Sequence, residues 1–502
     1  MIIKTREKRV LKNIGLILIY QIVAIICGFI VPRLIIQEYG SSVNGLVNSI
    51  LQFIGYIYLA EGGIGLVIKS LMYKPIAEKN KKEIAKILKT AKRFWRQILW
   101  VYIIYVMALC IIYPQIVAGS FERFFTIALI IAIAINRFSE YFMCMEYELY
   151  LQANQERYII ALASILAIIL TTIVTIVLIK IECSIIIIKL VTSIIFIVRG
   201  LFYKVYVTKK YKIKVSKKIE EVVVEQRKDG FAHQIAYIIH SNIDIVLITC
   251  FINTTEVSVY SVYLLVLKGI KSIVMAIMGA VDSVFGEIFA QEGYKEANKK
   301  FTIYEVIYFS IITILYDLCF ILINPFVQIY TKGITDINYC RPLFAIIITS
   351  SEFVWAIRYP FEQLISVVGH FKQTKLFAYL EAVINLILSI ILIRKLGIVG
   401  VAIGTLVAIT VRAIYVIWYF SKNILERELK IDIKFVIAML LQTSIIVTVG
   451  IMICNKVQIT TYFSWISIAI ILGIIVVAII CIMNLLLNKR IVKEAYKESI
   501  IK

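Results

Sequence analysis

The sequence predicts an all-α polytopic membrane protein of about 14 transmembrane helices: two pseudo-symmetric six-helix lobes followed by two C-terminal helices. Three observations predict it. Of the 502 residues, 61% are hydrophobic and only 17% charged, which a soluble chain of this length cannot carry on its surface. Apolar runs of about 20 residues, the length needed to cross a bilayer, recur from end to end. Basic residues crowd into alternate connections, as they do where Lys and Arg are held on one side of a membrane.

The first lobe, residues 1–206, holds helices expected at 13–37, 42–72, 94–113, 122–149, 157–179 and 183–206. A basic linker occupies 207–229. The second lobe, 230–421, holds helices at 230–252, 256–289, 303–329, 341–368, 374–393 and 397–420. Two more, at 434–454 and 462–487, fill 422–502 as an appendage. A weak internal repeat relates the lobes. The hairpin Tyr39–Gly45 resembles Thr254–Tyr260, and Ile179-Lys180-Ile181 resembles Arg394-Lys395-Leu396; Gly45 to Tyr260 and Lys180 to Lys395 share one offset of 215 residues. Duplicated helical lobes around a midplane cavity are a common transporter plan.

The net charge of +22 is a matter of loops. Of 54 basic residues, 39 lie on the side of both termini and only eight on the other. Positive-inside bias then places both termini in the cytoplasm, and no nucleic-acid partner is needed. Nine scattered cysteines without CxxC and three histidines give no disulfide framework and no metal site. No cofactor is expected. The basic start, Met1 to Lys12, runs into an apolar stretch too long for a signal-peptide core and reads as a retained first helix.

Seven basic residues fall inside predicted spans: Lys69, Arg137, Lys189, Lys268, Lys271, Arg358 and Arg412. An ionisable group there is costly unless it faces protein, water or a partner, so each is a functional candidate. Lys268 and Lys271, three apart on helix eight, either grip an anion such as a lipid diphosphate together or pair with an acid elsewhere. Glu61 precedes Gly62-Gly63, which permits local unwinding, and is expected to face a central cavity. Lys69 either joins it or snorkels to the interface. Arg137 and Glu140 are spaced to pair within one helix. Arg358 lies with Glu352 and Glu362 around a proline expected to kink helix ten, either lining the cavity or satisfying its neighbours.

Asp244, in Ser241-Asn242-Ile243-Asp244 and close to His240, is a candidate proton or sodium site that Glu381 and Asn385 could complete. A structural interhelical hydrogen bond is the other reading. Asp317 has no evident role. Lys79–Lys92 alternates basic and apolar residues at helical spacing, suiting either a membrane-surface helix or a solvated loop helix.

Several segments resemble the polysaccharide transporter, or O-antigen flippase, family of the multidrug/oligosaccharidyl-lipid/polysaccharide exporter superfamily. They are Asn13–Gly45 with Gln21, Pro32 and Gly40; Tyr58–Gly65; Gln152–Tyr158; and Asp244 with Val259-Tyr260-Ser261. Gly369–Thr374, then Glu381, Asn385 and Leu396–Thr405, continue the pattern. The resemblance implies alternating access and flipping of undecaprenyl-diphosphate-linked oligosaccharide to the outer leaflet of a bacterial plasma membrane. The expected protein is a monomer that works beside membrane lipids and pathway enzymes such as a polysaccharide polymerase and glycosyltransferases. Ala60-Glu61-Gly62 is also similar to the lipid II flippase family, which has fourteen helices, uses cationic cavity residues and draws a sodium site from helices seven, eleven and twelve. The candidate substrate-binding residues are therefore Lys268, Lys271, Glu61, Lys69 and Arg358, and the ion-coupling candidates Asp244, Glu381 and Asn385. The absence of a Walker motif or catalytic constellation points away from an enzyme. A multidrug extruder of the same superfamily is the competing reading, against which Lys268 and Lys271 argue.

Overall fold

Apolar stretches that cannot leave backbone groups unpaired in hydrocarbon are forced into helices, and helices fill the structure. This computed structural model describes residues 2–62, 64–213, 243–291 and 293–487. Among them, 11 helical segments are long and apolar enough to cross a membrane. One of these holds the first two helices, and α12 (Pro342–Val368) and the described end of the seventh helix bring the number to 14.

The chain divides into two units, Met1–Ser258 and Val259–Lys502. In the first unit α1 (Ile2–Gly55) changes direction at Gly40, whose φ of 84° takes the backbone out of helix and supplies the expected hairpin. Then come α2 (Tyr58–Glu61), α3 (Ile64–Ala77) and α4 (Lys81–Ile116). A third long element comprises α5 (Arg123–Ser139), a π turn at Glu140–Cys144 and α6 (Met145–Ala153). The unit continues with α7 (Arg157–Lys180), α8 (Ile185–Tyr211) and α9, described over 243–251.

The amphipathic 79–92 segment is neither a surface-lying helix nor a loop helix. Asn80 caps α4 through the Glu83 N–H at 3.1 Å, and Ile84, Ala85, Ile87, Leu88 and Ala91 are buried in the unit's core. The basic linker is helical up to Tyr211, and its residues 214–229 lie outside the described residues.

Division by packing falls later than that linker because α9 and the start of α10 (Thr254–Gln291) are tied to α1. Ser49 and Thr249 hydroxyls meet at 2.7 Å, and the Asn44 amide donates to the Ser258 hydroxyl at 2.7 Å. Gly45 touches the Thr254 carbonyl so closely that no Cβ fits between them.

In the second unit α10 is followed by α11 (Gly293–Tyr330), α12, α13 (Phe371–Leu396) and α14 (Ile398–Asn423). The appended pair is α15 (Leu429–Cys454) and α16 (Tyr462–Leu487). α12 continues through Pro360 without interruption and ends on Gly369, left-handed at φ 86°. Aromatic rings of Phe301, Phe309, Phe361 and Phe420 form its core. Large apolar side chains such as Trp100, Leu166, Ile414 and Ile474 are more than half exposed, which suits contact with lipid.

The pair α15 and α16 is anchored at its entry. Arg427, in the connection from α14, donates to Glu305 at 2.8 Å and to Asp432, whose other oxygen accepts from Ser421 at 2.7 Å. Burial alone would pull the Arg427 guanidinium down, and the two carboxylates more than reverse it.

Candidate functional site

Polar groups that the bilayer would reject are gathered into clusters within each unit. In the first, α2 is a single turn isolated by turns at Tyr56 and Ile57 and by Gly62 at φ 59°. That break presents Glu61, whose Oε1 accepts from the Tyr141 hydroxyl at 2.5 Å. Tyr141 belongs to the π turn, where one extra residue re-aims the side chains that follow α5. Arg137 donates to Glu140, as its spacing predicts, and also to the Tyr58 hydroxyl; Arg199 on α8 reaches Glu140 at 3.1 Å. Glu61, Arg137, Glu140 and Arg199 thus form a line across α2, α5, the π turn and α8. Lys69, on α3, is outside this line and half-buried, with no carboxylate at ion-pair distance among the described residues.

In the second unit Lys268 and Lys271 have different surroundings. The Lys271 ammonium is 3.1 Å from Glu352 on α12 and 4.1 Å from the centre of the Trp355 ring. Lys271 is therefore neutralised by an acid, the second of its two expected readings. Lys268 is exposed, and no carboxylate among the described residues is within ion-pair distance.

Arg358 is not a free cation lining a cavity. Its guanidinium pairs with Glu362 at 3.1 Å and with Glu381 at 3.0 Å. Arg412 on α14 pairs with the same two carboxylates and closes a ring of alternating charge across α12, α13 and α14. Arg358 and Glu381 are buried. The ring is electrically balanced, so each group offsets the desolvation of its neighbours.

Glu381 and Asn385, one turn apart, serve different clusters. Asn385 Oδ1 accepts from the Ser389 hydroxyl at 2.9 Å and from the Thr405 hydroxyl at 3.3 Å. Both hydroxyls also reach the Val401 carbonyl, at 3.4 and 3.1 Å. Gly400 and Gly404 make this possible: a Cβ on either would collide with the α13 backbone, at Leu392 and Ser389. Four neutral oxygens thus lie together between α13 and α14, joined by hydrogen bonds among themselves.

Asp244 is buried on α9 in the first unit, and its neighbours His240, Ser241 and Asn242 lie outside the described residues. No group of three or more His, Cys, Asp and Glu suited to a metal occurs among the described residues. Sequence reasoning missed the roles of Arg412, Ser389, Thr405 and the Val401 carbonyl. Arg412 was visible as a charge in a span; the other three carry no signal, because serine, threonine and a backbone oxygen are unremarkable in any helix.

No protein-family profile matches the chain, and no curated protein matches its sequence significantly. Solved structures do match its fold. The lipid II flippase MurJ in an inward closed conformation aligns with a TM-score of 0.65 at 16% identity, over 94% of this chain and 100% of that one. An inward-facing multidrug resistance MATE family transporter of the MOP superfamily aligns at 0.63 and 15% identity, over 80% and 94%. The Vibrio cholerae MATE transporter VcmN in its bent form aligns at 0.51 and 12%, over 86% and 99%. At these identities the likeness establishes architecture: this is a multi-pass, all-helical chain with the two-lobe fold of those transporters.

Proposed function

We propose that the protein is a flippase that moves undecaprenyl-diphosphate-linked oligosaccharide units from the inner to the outer leaflet of a bacterial plasma membrane. The movement supplies surface polysaccharide synthesis, proceeds by ion-coupled alternating access and leaves both termini in the cytoplasm. The observation that carries this reading is Lys268, a lysine within a spanning helix with no carboxylate among the described residues at ion-pair distance, in a chain whose fold is like that of lipid and drug exporters. A diphosphate headgroup loses hydration on entering an apolar barrier, and a fixed cation offsets that loss. The polyprenyl tail can stay in lipid throughout. Lys69 is the matching candidate in the first unit, and Glu61 the acid that would position sugar hydroxyls beside it. Arg358 supports the site through the charge ring rather than by touching the headgroup.

Coupling falls to Asp244 in the first unit and to the Asn385 oxygen cluster in the second, with Glu381 holding α13 in place through its two arginines. Sodium or a proton would serve the first, and sodium suits the second.

A flippase for lipid II is the second reading, favoured by the alignment that spans 94% of this chain and the whole of MurJ. The two cargoes share the diphosphate and differ in the sugar. Multidrug export is the third; neutralisation of Lys271 by Glu352 weakens the cationic case against it. A deletion strain decides. Lipid-linked repeat units accumulating on the inner leaflet, with peptidoglycan synthesis intact, support the proposal. Accumulating lipid II, or drug sensitivity alone, transfers it to one of the alternatives.

A further inference from the structure

One carboxyl of the second unit has no part in the clusters above. Asp317 on α11 is fully buried, and neither of its oxygens has a hydrogen-bond partner. The Thr443 hydroxyl on α15, buried and likewise unpaired, is the side chain placed to reach it. Helices α12, α15 and α16 pack against α11. On α12, Glu352 is committed to Lys271 and Arg358 to the charge ring. Asp432 on α15 and Glu305 on α11 itself are committed to Arg427. Helix α16 carries no charge, and on α15 Lys430 and Lys434 are exposed near the helix start, Lys434 on the wall of a crevice. Asp317 therefore has no counterion among the described residues.

Its surroundings are asymmetric along the helix. On one side this crevice, of about 70 Å³, opens among α11, α15 and α16; its mainly apolar wall carries Ser310, Thr313, Lys434, Gln442 and Asn484. The Asn484 amide donates to the Ser310 hydroxyl at 2.8 Å. Ser310, Thr313 and Asp317 share one face of α11, so polar groups lead from Lys434 to within about one turn of the carboxyl. On the other side the way is shut. Ile321, one turn beyond, fills the place a Cβ on Gly450 would need, and Leu322, Ile446, Leu472 and Val476 pack around it.

We propose that Asp317 is a proton-binding carboxyl that exchanges with water on the side onto which the Lys434–Asn484 crevice opens, and not with the opposite side. A carboxylate sealed among apolar groups needs a proton or a cation. With Thr443 as the neighbouring ligand there are too few oxygens to replace a metal ion's hydration shell, whereas a proton requires none. The site is separate from the cargo path and stands or falls independently of the cargo proposed above.

The test is labelling of the full-length protein by dicyclohexylcarbodiimide, an apolar reagent that adds to protonated carboxyls, in right-side-out and inverted membrane vesicles. Adducts are located by peptide mass spectrometry while the pH of each compartment is varied separately. The expected result is an adduct on Asp317 that falls about tenfold per pH unit once the crevice-side medium is alkaline enough to deprotonate it. Changing the pH of the other compartment should leave it unaltered. In Thr313→Val the adduct should form but respond to pH more slowly. No adduct on Asp317, an adduct indifferent to pH, or one that follows both compartments equally would overturn the proposal.

Discussion

Lys271 and Glu352 face each other at 3.1 Å across α10 and α12, with the Trp355 ring beneath the ammonium. One helical turn earlier, Lys268 has no such acid among the described residues. Two lysines on the same helix therefore have different surroundings: one is paired across to α12, and the other is exposed.

Replacing each lysine by alanine separates their effects. Lys268→Ala should reduce export of lipid-linked sugar at least about tenfold, the effect of losing one charge-assisted contact, while thermal stability in detergent stays near wild type. Lys271→Ala should instead lower stability by leaving Glu352 uncompensated, and Lys271→Met with Glu352→Leu should restore much of it. Unchanged export in Lys268→Ala would remove that residue from the cargo path.

The charge ring makes a sharper stability prediction. Arg412→Gln removes one of the two arginines that pair with Glu362 and Glu381, and should cost about 3–5 kcal/mol. Glu381→Gln in the same chain should cost less than the two changes summed, because it removes a charge the first change stranded. Denaturation midpoints of the four proteins of this cycle check it; strict additivity would mean the ring is not a unit.

Gly404→Ala places a methyl against Ser389, including its backbone nitrogen, so the neighbour cannot rotate away. The expected cost is about 1–3 kcal/mol from helix separation. Cation dependence of transport should weaken in parallel, since α13 and α14 carry the converging oxygens. Asn385→Ala should weaken cation dependence with less effect on stability. Transport assayed with and without a sodium gradient distinguishes the two.

Tyr141→Phe deletes the hydroxyl that donates to Glu61 at 2.5 Å. A loss of about 1–3 kcal/mol is expected for a carboxylate left short of a donor. Circular dichroism should show the helices intact while the melting point falls. No change in melting would mean that water replaces the tyrosine.

Much of this was legible in the residues. Glu61 beside Gly62 marked a broken helix, and Arg137 with Glu140 marked a pair, because both depend on neighbours within one turn. Asn385 was legible as a polar residue in a span, but its partners were not. Ser389 lies on the same helix, whereas Thr405 and Val401 come from the next, and Gly400 and Gly404 had to admit that helix first. Arg358 was visible as a cation but not as a neutralised one. The basic and apolar residues alternating over 79–92 suit a membrane-surface helix or a solvated loop helix, yet the apolar stripe found a core to enter.

By itself the sequence determined the solvent, the helical class and the approximate span of each helix, since hydrophobicity and length act residue by residue along the chain. Which charges remain free was decided only by tertiary packing. An arginine is a binding site or a brace according to what stands opposite on another helix, and that distance is set by side chains far apart in the sequence.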